Sequence, residues 1–256
     1  MWNNEKYQVL ISSHNAEMYL PRCFQSVEGS MKDRDWILLF ADDGSDDNTF
    51  HALDDYASVS SAKNIHYYTF DKAKNVNKAK NRLFKECLEF GNEYPAILFM
   101  DADDQMLPER PELIKTAKTE QAPFVVGAWE KIYNKHIGKK MDLGSYGMQK
   151  HKLLQSNDFG IWATLIHASL VPEDGKFLFE GVYAYGDILS WYYWNHIKGI
   201  KPVVHKSDEY VHRYYNREGS VSNPKDDKEK KLNIKIFDGF RDKILKNVDI
   251  YKECRV

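Results

Sequence analysis

The chain is poor in the features that mark secreted, membrane-embedded and strongly electrostatic proteins. Its 256 residues hold three cysteines, Cys23, Cys87 and Cys254, widely spaced and in no Cys-x-x-Cys arrangement. That spacing removes a disulfide framework and a cysteine zinc site and suits a reducing, cytoplasmic setting. No apolar run approaches the length of a membrane span, and the opening Met1-Trp2-Asn3-Asn4-Glu5-Lys6 lacks the basic stretch and apolar core of an export signal. The expectation is a soluble protein, with peripheral membrane association and homo-oligomer formation left open. A formal charge of −2 gives no signature of a nucleic-acid partner. Internal repeats and low-complexity tracts are also missing.

What is present is a regular alternation. Residues 7–12, 36–41, 65–70 and 96–100 read as strands, and 19–27, 48–56 and 78–90 as the helices between them. A β-α-β-α-β-α-β succession implies a mostly parallel sheet, covered by helices on both faces, with right-handed crossovers. Beyond Pro111 the pattern loosens. Strands are expected at 124–129, 131–136 and 201–205, a glycine-containing loop or lid at 138–147, and an aromatic helix at 188–197. The charged stretch 223–231 reads as a solvated connection, and 232–248 as an amphipathic helix carrying Ile234, Phe237, Phe240, Ile244 and Leu245.

Two acidic turns carry the chemistry. The run Ile97-Leu98-Phe99-Met100-Asp101-Ala102-Asp103-Asp104 is a buried strand that ends in three carboxylates. Ligands of parallel sheets gather at such carboxyl ends, and clustered carboxylates repel one another unless a hard cation, Mg²⁺ or Mn²⁺, shares them with ligand phosphates. The competing reading is a turn before Pro108. The second turn, Asp42-Asp43-Gly44-Ser45-Asp46-Asp47-Asn48, comes after the second strand about sixty residues earlier, two βα units of roughly thirty residues each. Both turns therefore face one crevice. A carboxylate at Asp42 can accept from a nucleobase or ribose, whereas Asp46, Asp47 or Asn48 suits a helix cap. Neither turn has the spacing of an EF-hand.

Taken in order, Val9-Leu10-Ile11-Ser12-Ser13-His14-Asn15-Ala16, Ala41-Asp42-Asp43-Gly44-Ser45-Asp46-Asp47, Ala79-Lys80-Asn81 and Asp101-Ala102-Asp103-Asp104 resemble the GT-A glycosyltransferases of family 2. The match is close over about the first 110 residues and thinner beyond. The resemblance implies a GT-A, Rossmann-like fold with a C-terminal helical extension. Its implied division is a glycosyltransferase domain at 1–222, with a nucleotide-sugar half at 1–110 and an acceptor half at 111–222, and then a charged connection and helix at 223–256. It also implies an inverting transfer from a nucleotide-diphosphate sugar with Mn²⁺ or Mg²⁺.

Residue by residue, the resemblance puts Ser13, His14 and Asn15 near the nucleobase, where Ser12-Ser13-His14 replaces the family's usual Pro-Thr-Tyr. Asp42 would recognise the base with Asp43 beside it. Lys80 stands where the family has Arg and could approach the diphosphate, a solvated helix lysine being the alternative. Asp101, Ala102 and Asp103 form the DxD motif, with Asp101 and Asp103 at the metal and Asp104 orienting the sugar. His212 is a candidate third metal ligand, in competition with His205, and Arg213 or Arg217 could neutralise the leaving diphosphate. Asp187 resembles the family's acceptor base, with Gly186 in place of the usual Glu, and Glu180 is the second candidate. Trp129, Trp162 and Trp191 are core aromatics by default, Trp162 being the one most suited to meet a sugar.

Three rivals can be weighed on the sequence. A haloacid-dehalogenase phosphatase carries its Asp pair after the first strand, whereas Asp101 comes after the fourth. A nucleotidyltransferase needs a glycine-rich loop after the first strand, which 12–20 does not supply. A non-catalytic nucleotide-sugar or glycan-binding module would keep Asp101 and Asp103 but lack a base. The acceptor, whether saccharide, lipid-linked glycan, protein or modified nucleobase, is not legible.

Overall fold

The computed structural model describes residues 1–71, 75–133, 136–137, 160–181, 186–216, 224 and 226–246. The first half alternates as the sequence predicts: β1 (Lys6–Ser13), α1 (Leu20–Met31), β2 (Asp35–Asp42), α2 (Thr49–Ala57), β3 (Ile65–Thr69), α3 (Val76–Glu86) and β4 (Ala96–Asp101). Then come β5 (Gln105–Met106), α4 (Leu113–Thr119), β6 (Phe124–Val126), β7 (Trp129–Tyr133), β8 (His136–Ile137), β9 (Thr164–His167), α5 (Gly186–Tyr192), β10 (Val203–Val204), β11 (His212–Tyr215) and α6 (Asp227–Leu245). A seven-stranded sheet has the order β10-β6-β9-β4-β1-β2-β3, and a four-stranded sheet the order β5-β11-β7-β8. All pairs of the larger sheet are parallel except those made by β9, which runs antiparallel to both β4 and β6. This is the GT-A arrangement of a mostly parallel sheet flanked by helices.

Alternate residues of the central strands feed two cores. Val9, Ile11, Leu38, Phe40, Leu98 and Met100 face α1 and α4, whereas Leu10, Ile37, Leu39, Ile97 and Phe99 face Leu83 and Phe84 of α3. Strands buried on both faces cannot show polar alternation, hence their continuous apolar runs. Each such side chain contributes about 1.5–3 kcal/mol on burial.

Departures from the sequence reading cluster after Pro111. The strand expected at 124–129 divides between the two sheets as β6 and β7. Gly127 permits the crossing, because a Cβ there would lie 2.5 Å from the Val211 side chain. The aromatic helix is α5 continued by a π turn, Tyr193–Ile197. The charged stretch 223–231 is no connection from 227 onward, because Asp226 accepts from the Lys228 N–H at 2.8 Å and caps the 19-residue α6. Helix formers of both signs suppress the apolar periodicity without opposing the helix. Phe237, Phe240 and Ile244 dock α6 on Phe179, Ile188, Leu189 and Tyr192. Asn233 takes the next place on that stripe and Ile234 is turned outward, 41% exposed. The loop expected at 138–147 lies outside the described residues. Among those residues no helix is long and apolar enough to cross a membrane.

Candidate active site

The strand order reverses at β1, which lies between β4 and β2. At that switch point Ser12 is in register with Asp101 and Ser13 with Asp42, so both acidic turns leave one edge of the sheet side by side.

The nucleotide-side turn is braced by its own side chains. Both Asp42 oxygens are taken by Ser45, one by its hydroxyl and one by its backbone N–H at 3.2 Å, and Gly44 turns the chain with φ +67. The hydroxyl of Ser13 donates to the Ala41 carbonyl at 3.2 Å. Asn15, itself at φ 50, accepts from the Asp46 N–H at 2.8 Å, and its backbone N–H donates to Ser45 Oγ at 2.8 Å. Ser13, Asn15 and Asp42, expected to meet the nucleotide, thus build the loop. His14 and Asp43 sit on it. Nδ1 of His14 lies 3.0 Å from the Asp43 carbonyl; a carbonyl only accepts, so Nδ1 is the donor in this contact. The Asp43 carboxylate is 3.6 Å from Arg82 Nη1. The cap of α2 is supplied by Asp47, which accepts from the Thr49 N–H at 3.0 Å, rather than by Asp46 or Asn48.

The DxD turn is anchored from beneath. Lys80, on α3 and largely buried, reaches Asp101 Oδ1 with Nζ at 2.6 Å, so it is not a solvated helix lysine. Ala102 is buried. Arg22 of α1 donates to the Asp103 carbonyl at 2.6 Å and lies 3.5 Å from the centre of the Tyr215 ring. Asp104 is wholly buried, accepting from His212 Nε2 at 3.0 Å and from the Tyr215 N–H at 2.9 Å. With both oxygens engaged it supports the turn and does not reach a sugar, contrary to expectation. His212 is equally buried, with Nδ1 3.5 Å from Arg110 Nη1. Its ring is directed at Asp104, not outward as a third metal ligand would be: the β11 register that pairs His212 with Met106 and Trp129 carries it under the turn. Burial and the adjacent Asp103 and Asp101 charges push the Asp104 carboxyl well above the usual carboxylate range. Burial and Arg110 push the His212 imidazole well below its ordinary value. Both shifts favour the neutral forms, so the contact is a buried hydrogen bond.

Among the described residues no three His, Cys, Asp or Glu side chains are gathered as a ready metal site. Asp101 and Asp103 nonetheless suit a hard divalent ion: they offer carboxylate oxygens two residues apart at a strand end, and diphosphate oxygens and water would complete the shell.

In the second half of the chain, Asp187 stands in the first turn of α5, where Oδ1 accepts from the Ile188 N–H at 3.1 Å. Gly186 is required by close packing, since a Cβ there would lie 2.0 Å from Asn77 Nδ2 and 2.7 Å from the Phe179 carbonyl. Glu180 is held by Asn81 at 2.8 Å. It lines a groove of about 330 Å³ with Phe70, Lys78, Arg82, Lys85 and Lys176, and none of Asp101 to Asp104 borders that groove. His205 is spent on Glu109 at 3.0 Å and Thr116 at 2.7 Å, tying α4 to the end of β10. Arg213 pairs with Glu130 at 2.5 Å, and Arg217 lies outside the described residues. Trp191 is core, while Trp129 and Trp162 pack with Tyr214, and the buried Trp162 Nε1 has no hydrogen-bond partner among the described residues. Sequence reasoning missed Arg22, Arg82, Arg110 and Tyr215, whose partners Asp103, Asp43, Thr164 and Asp104 lie far away along the chain and leave no local pattern.

A comparison with curated proteins gives no significant match. Among solved structures, S. aureus TarS 1-349 in complex with UDP-GlcNAc aligns with a TM-score of 0.65 at 15% identity, over 86% of this chain and 61% of that one. The mannosyltransferase PcManGT from Pyrobaculum calidifontis, in complex with GDP-Man and Mn²⁺, aligns with a TM-score of 0.60 at 12% identity, over 82% of this chain and 56% of that one. The chain thus spans about three fifths of these relatives, and at such identities the likeness is one of fold. The sequence model of the family described as Glycosyl transferase family 2 matches residues 8–168. That span holds β1 to β4, both acidic turns and Lys80, and by it the chain belongs to glycosyl transferase family 2.

Proposed function

We propose that the chain is a metal-dependent, inverting glycosyltransferase that moves a sugar from a nucleotide-diphosphate sugar to an acceptor hydroxyl. The observation that carries this reading is the adjacency of the two acidic turns at one sheet edge, with Lys80 on Asp101 at 2.6 Å. Family membership supports the reaction class. The ligands of the two relatives, UDP-GlcNAc on one and GDP-Man with Mn²⁺ on the other, support a nucleotide sugar and a divalent ion. Residues 1–110 form the donor half, 111–222 the acceptor half and 223–256 an extension; the cysteine pattern supports a cytoplasmic setting.

In this mechanism His14 and Asp43, on the loop built by Ser13, Asn15 and Asp42, meet the nucleoside. Asp101 and Asp103 hold the ion, with His212 supporting Asp104 below them. A divalent cation held there would supply positive charge to offset the charge that develops on the donor diphosphate. Asp187 accepts the proton of the acceptor hydroxyl as its oxygen attacks the anomeric carbon. The bond from that carbon to the diphosphate oxygen breaks in the same displacement, which inverts the centre and releases the nucleoside diphosphate. Lys80 adds a fixed positive charge beside the departing group.

The test is Mn²⁺-dependent release of nucleotide from UDP-GlcNAc and GDP-mannose, with EDTA expected to abolish it. Full turnover in EDTA would sink metal dependence. Nucleotide binding with no turnover of any donor would favour the non-catalytic binding module.

A further inference from the structure

Consecutive residues of a helix point about 100° apart. On α3 this sends Lys80 to Asp101 of the DxD turn and its neighbour Asn81 to the segment that precedes the base. Asn81 is 4% exposed and its amide is engaged on both sides. Oδ1 accepts from the Leu178 N–H at 2.7 Å, and Nδ2 donates to the Leu178 carbonyl at 2.8 Å and to Glu180 Oε1 at 2.8 Å. The side chain thus stands in for a neighbouring strand. Residues 175–181 have no regular secondary structure, and the buried backbone of Leu178 needs such a partner.

Two further asparagines of the same helix end continue the contact. Asn75 Nδ2 donates to the Glu180 carbonyl at 2.9 Å, and Asn77 lies so close to Gly186 that no Cβ fits there. Ser190 of α5 closes the connection, with Oγ accepting from the Phe179 N–H at 2.7 Å and donating to the Gly186 carbonyl at 2.8 Å. A bonded path therefore runs from Asn81 through Leu178 and Phe179 to Gly186 and Asp187.

We propose that Asn81 is a positioning residue that registers the base-bearing segment against α3, so that one helix sets the donor diphosphate, through Lys80, and the proton acceptor, through Asn81, at a fixed separation. The proposal rests on Asp187 as the base. A misplaced base loses rate without losing nucleotide, because Asn81 touches neither acidic turn.

The experiment uses the full chain with Mn²⁺ and whichever of UDP-GlcNAc, UDP-glucose and GDP-mannose the wild type hydrolyses fastest, water serving as acceptor. Asn81→Asp keeps the shape and the bond from Leu178 N–H, but loses both donors and sets a carboxylate against Glu180. Its kcat should fall roughly 10- to 100-fold, as for a displacement near 1 Å, while donor KM and nucleotide affinity stay within about threefold. Adding Glu180→Gln supplies a donor from the other side and should restore part of kcat. Unchanged kcat in Asn81→Asp, nucleotide affinity falling in step with kcat, or no recovery in the double variant would each overturn the proposal. Asp187→Asn in the same assay separates the two readings: if it hydrolyses donor at the wild-type rate, the base assignment fails, whatever Asn81→Asp does.

Discussion

The region of the acidic turns and the region of Asp187, the proposed donor and acceptor sides, are held together by different means. On the donor side backbone register does the placing: β1, β2 and β4 put Ser13, Asp42 and Asp101 in neighbouring rows. Carboxylates then brace the adjoining loops and helix ends, Asp42 on Ser45, Asp47 on Thr49 and Glu28 on Ser60 and Ser61. On the acceptor side regular strands are short, and neutral side chains fasten irregular backbone: Asn81 on Leu178, Asn75 on Glu180, Ser190 on Phe179. Placement by register survives many substitutions, whereas placement by a single amide hangs on that amide.

The largest expected effect breaks the acceptor side chemically. Asp187→Asn keeps shape and capping ability and removes the proton acceptor, so kcat should fall by roughly 10² to 10⁴ with nucleotide affinity intact. Turnover within a few-fold of wild type would remove Asp187 as the base. Glu180, held by Asn81 at 2.8 Å, would then be the next residue to substitute.

Next in size is the joint between the two regions. Arg110 is wholly buried and donates to the Thr164 carbonyl at 3.0 and 2.7 Å and to the Phe99 carbonyl at 3.0 Å, linking β4 to β9 where the sheet turns antiparallel. Burial lowers its guanidinium to about 9, so it stays charged at neutral pH. Arg110→Leu removes the donors that hold these two buried carbonyls, at a cost of about 1–3 kcal/mol for each in denaturant unfolding. A loss of only a few tenths would mean that water replaces the guanidinium.

A smaller effect separates two neighbouring carboxylates. Asp42→Ala removes both acceptors of Ser45 and should cost about 1–3 kcal/mol of stability, with a rise in donor KM caused by the loosened loop. Asp43→Asn keeps the shape of a side chain whose carboxylate pairs with Arg82 at 3.6 Å, and should raise donor KM by removing the charge that faces the nucleoside. An unchanged donor KM in Asp43→Asn would return nucleoside recognition to Asp42.

The same contrast explains how much of the molecule is legible in its sequence. The four central strands, the three helices between them and both acidic turns are legible because apolar runs ending in carboxylates are local signals, and register comes with them. The division of 124–129 between two sheets is not, because it depends on Gly127 meeting Val211 across the fold. Nor is the role of His212, because a histidine near the end of the chain carries no mark of the carboxylate it will face. Asn81 stands beside Lys80 in a motif, yet the sequence hides its task, since its partners lie 97 residues away. The start of α6 is masked by a first turn that is charged on every side.

The finest way to sharpen the comparison is acid. Burial acts to raise the Glu28 carboxyl, but hydrogen bonds from Ser60, Ser61 and Tyr56 outweigh it and hold the group below its ordinary 4.5. Burial likewise acts to raise Asp47, and bonds from Thr49 and the Glu17 N–H hold it below 3.8. A carboxyl depressed in the folded state stabilises it fully above its unfolded pKa, and that contribution is lost as pH falls through the folded value. The donor-side braces should therefore loosen below about pH 4.5. Asn75 and Ser190 do not titrate, and protonated Glu180 and Asp187 can still accept from Asn81 and from the Ile188 N–H. Hydrogen exchange, corrected for its intrinsic pH dependence, should lose protection first in 15–17, 45–49 and 58–61, while 175–181 and 186–192 keep theirs. Simultaneous loss in both regions would show that the two are one cooperative unit whose anchors do not differ in kind.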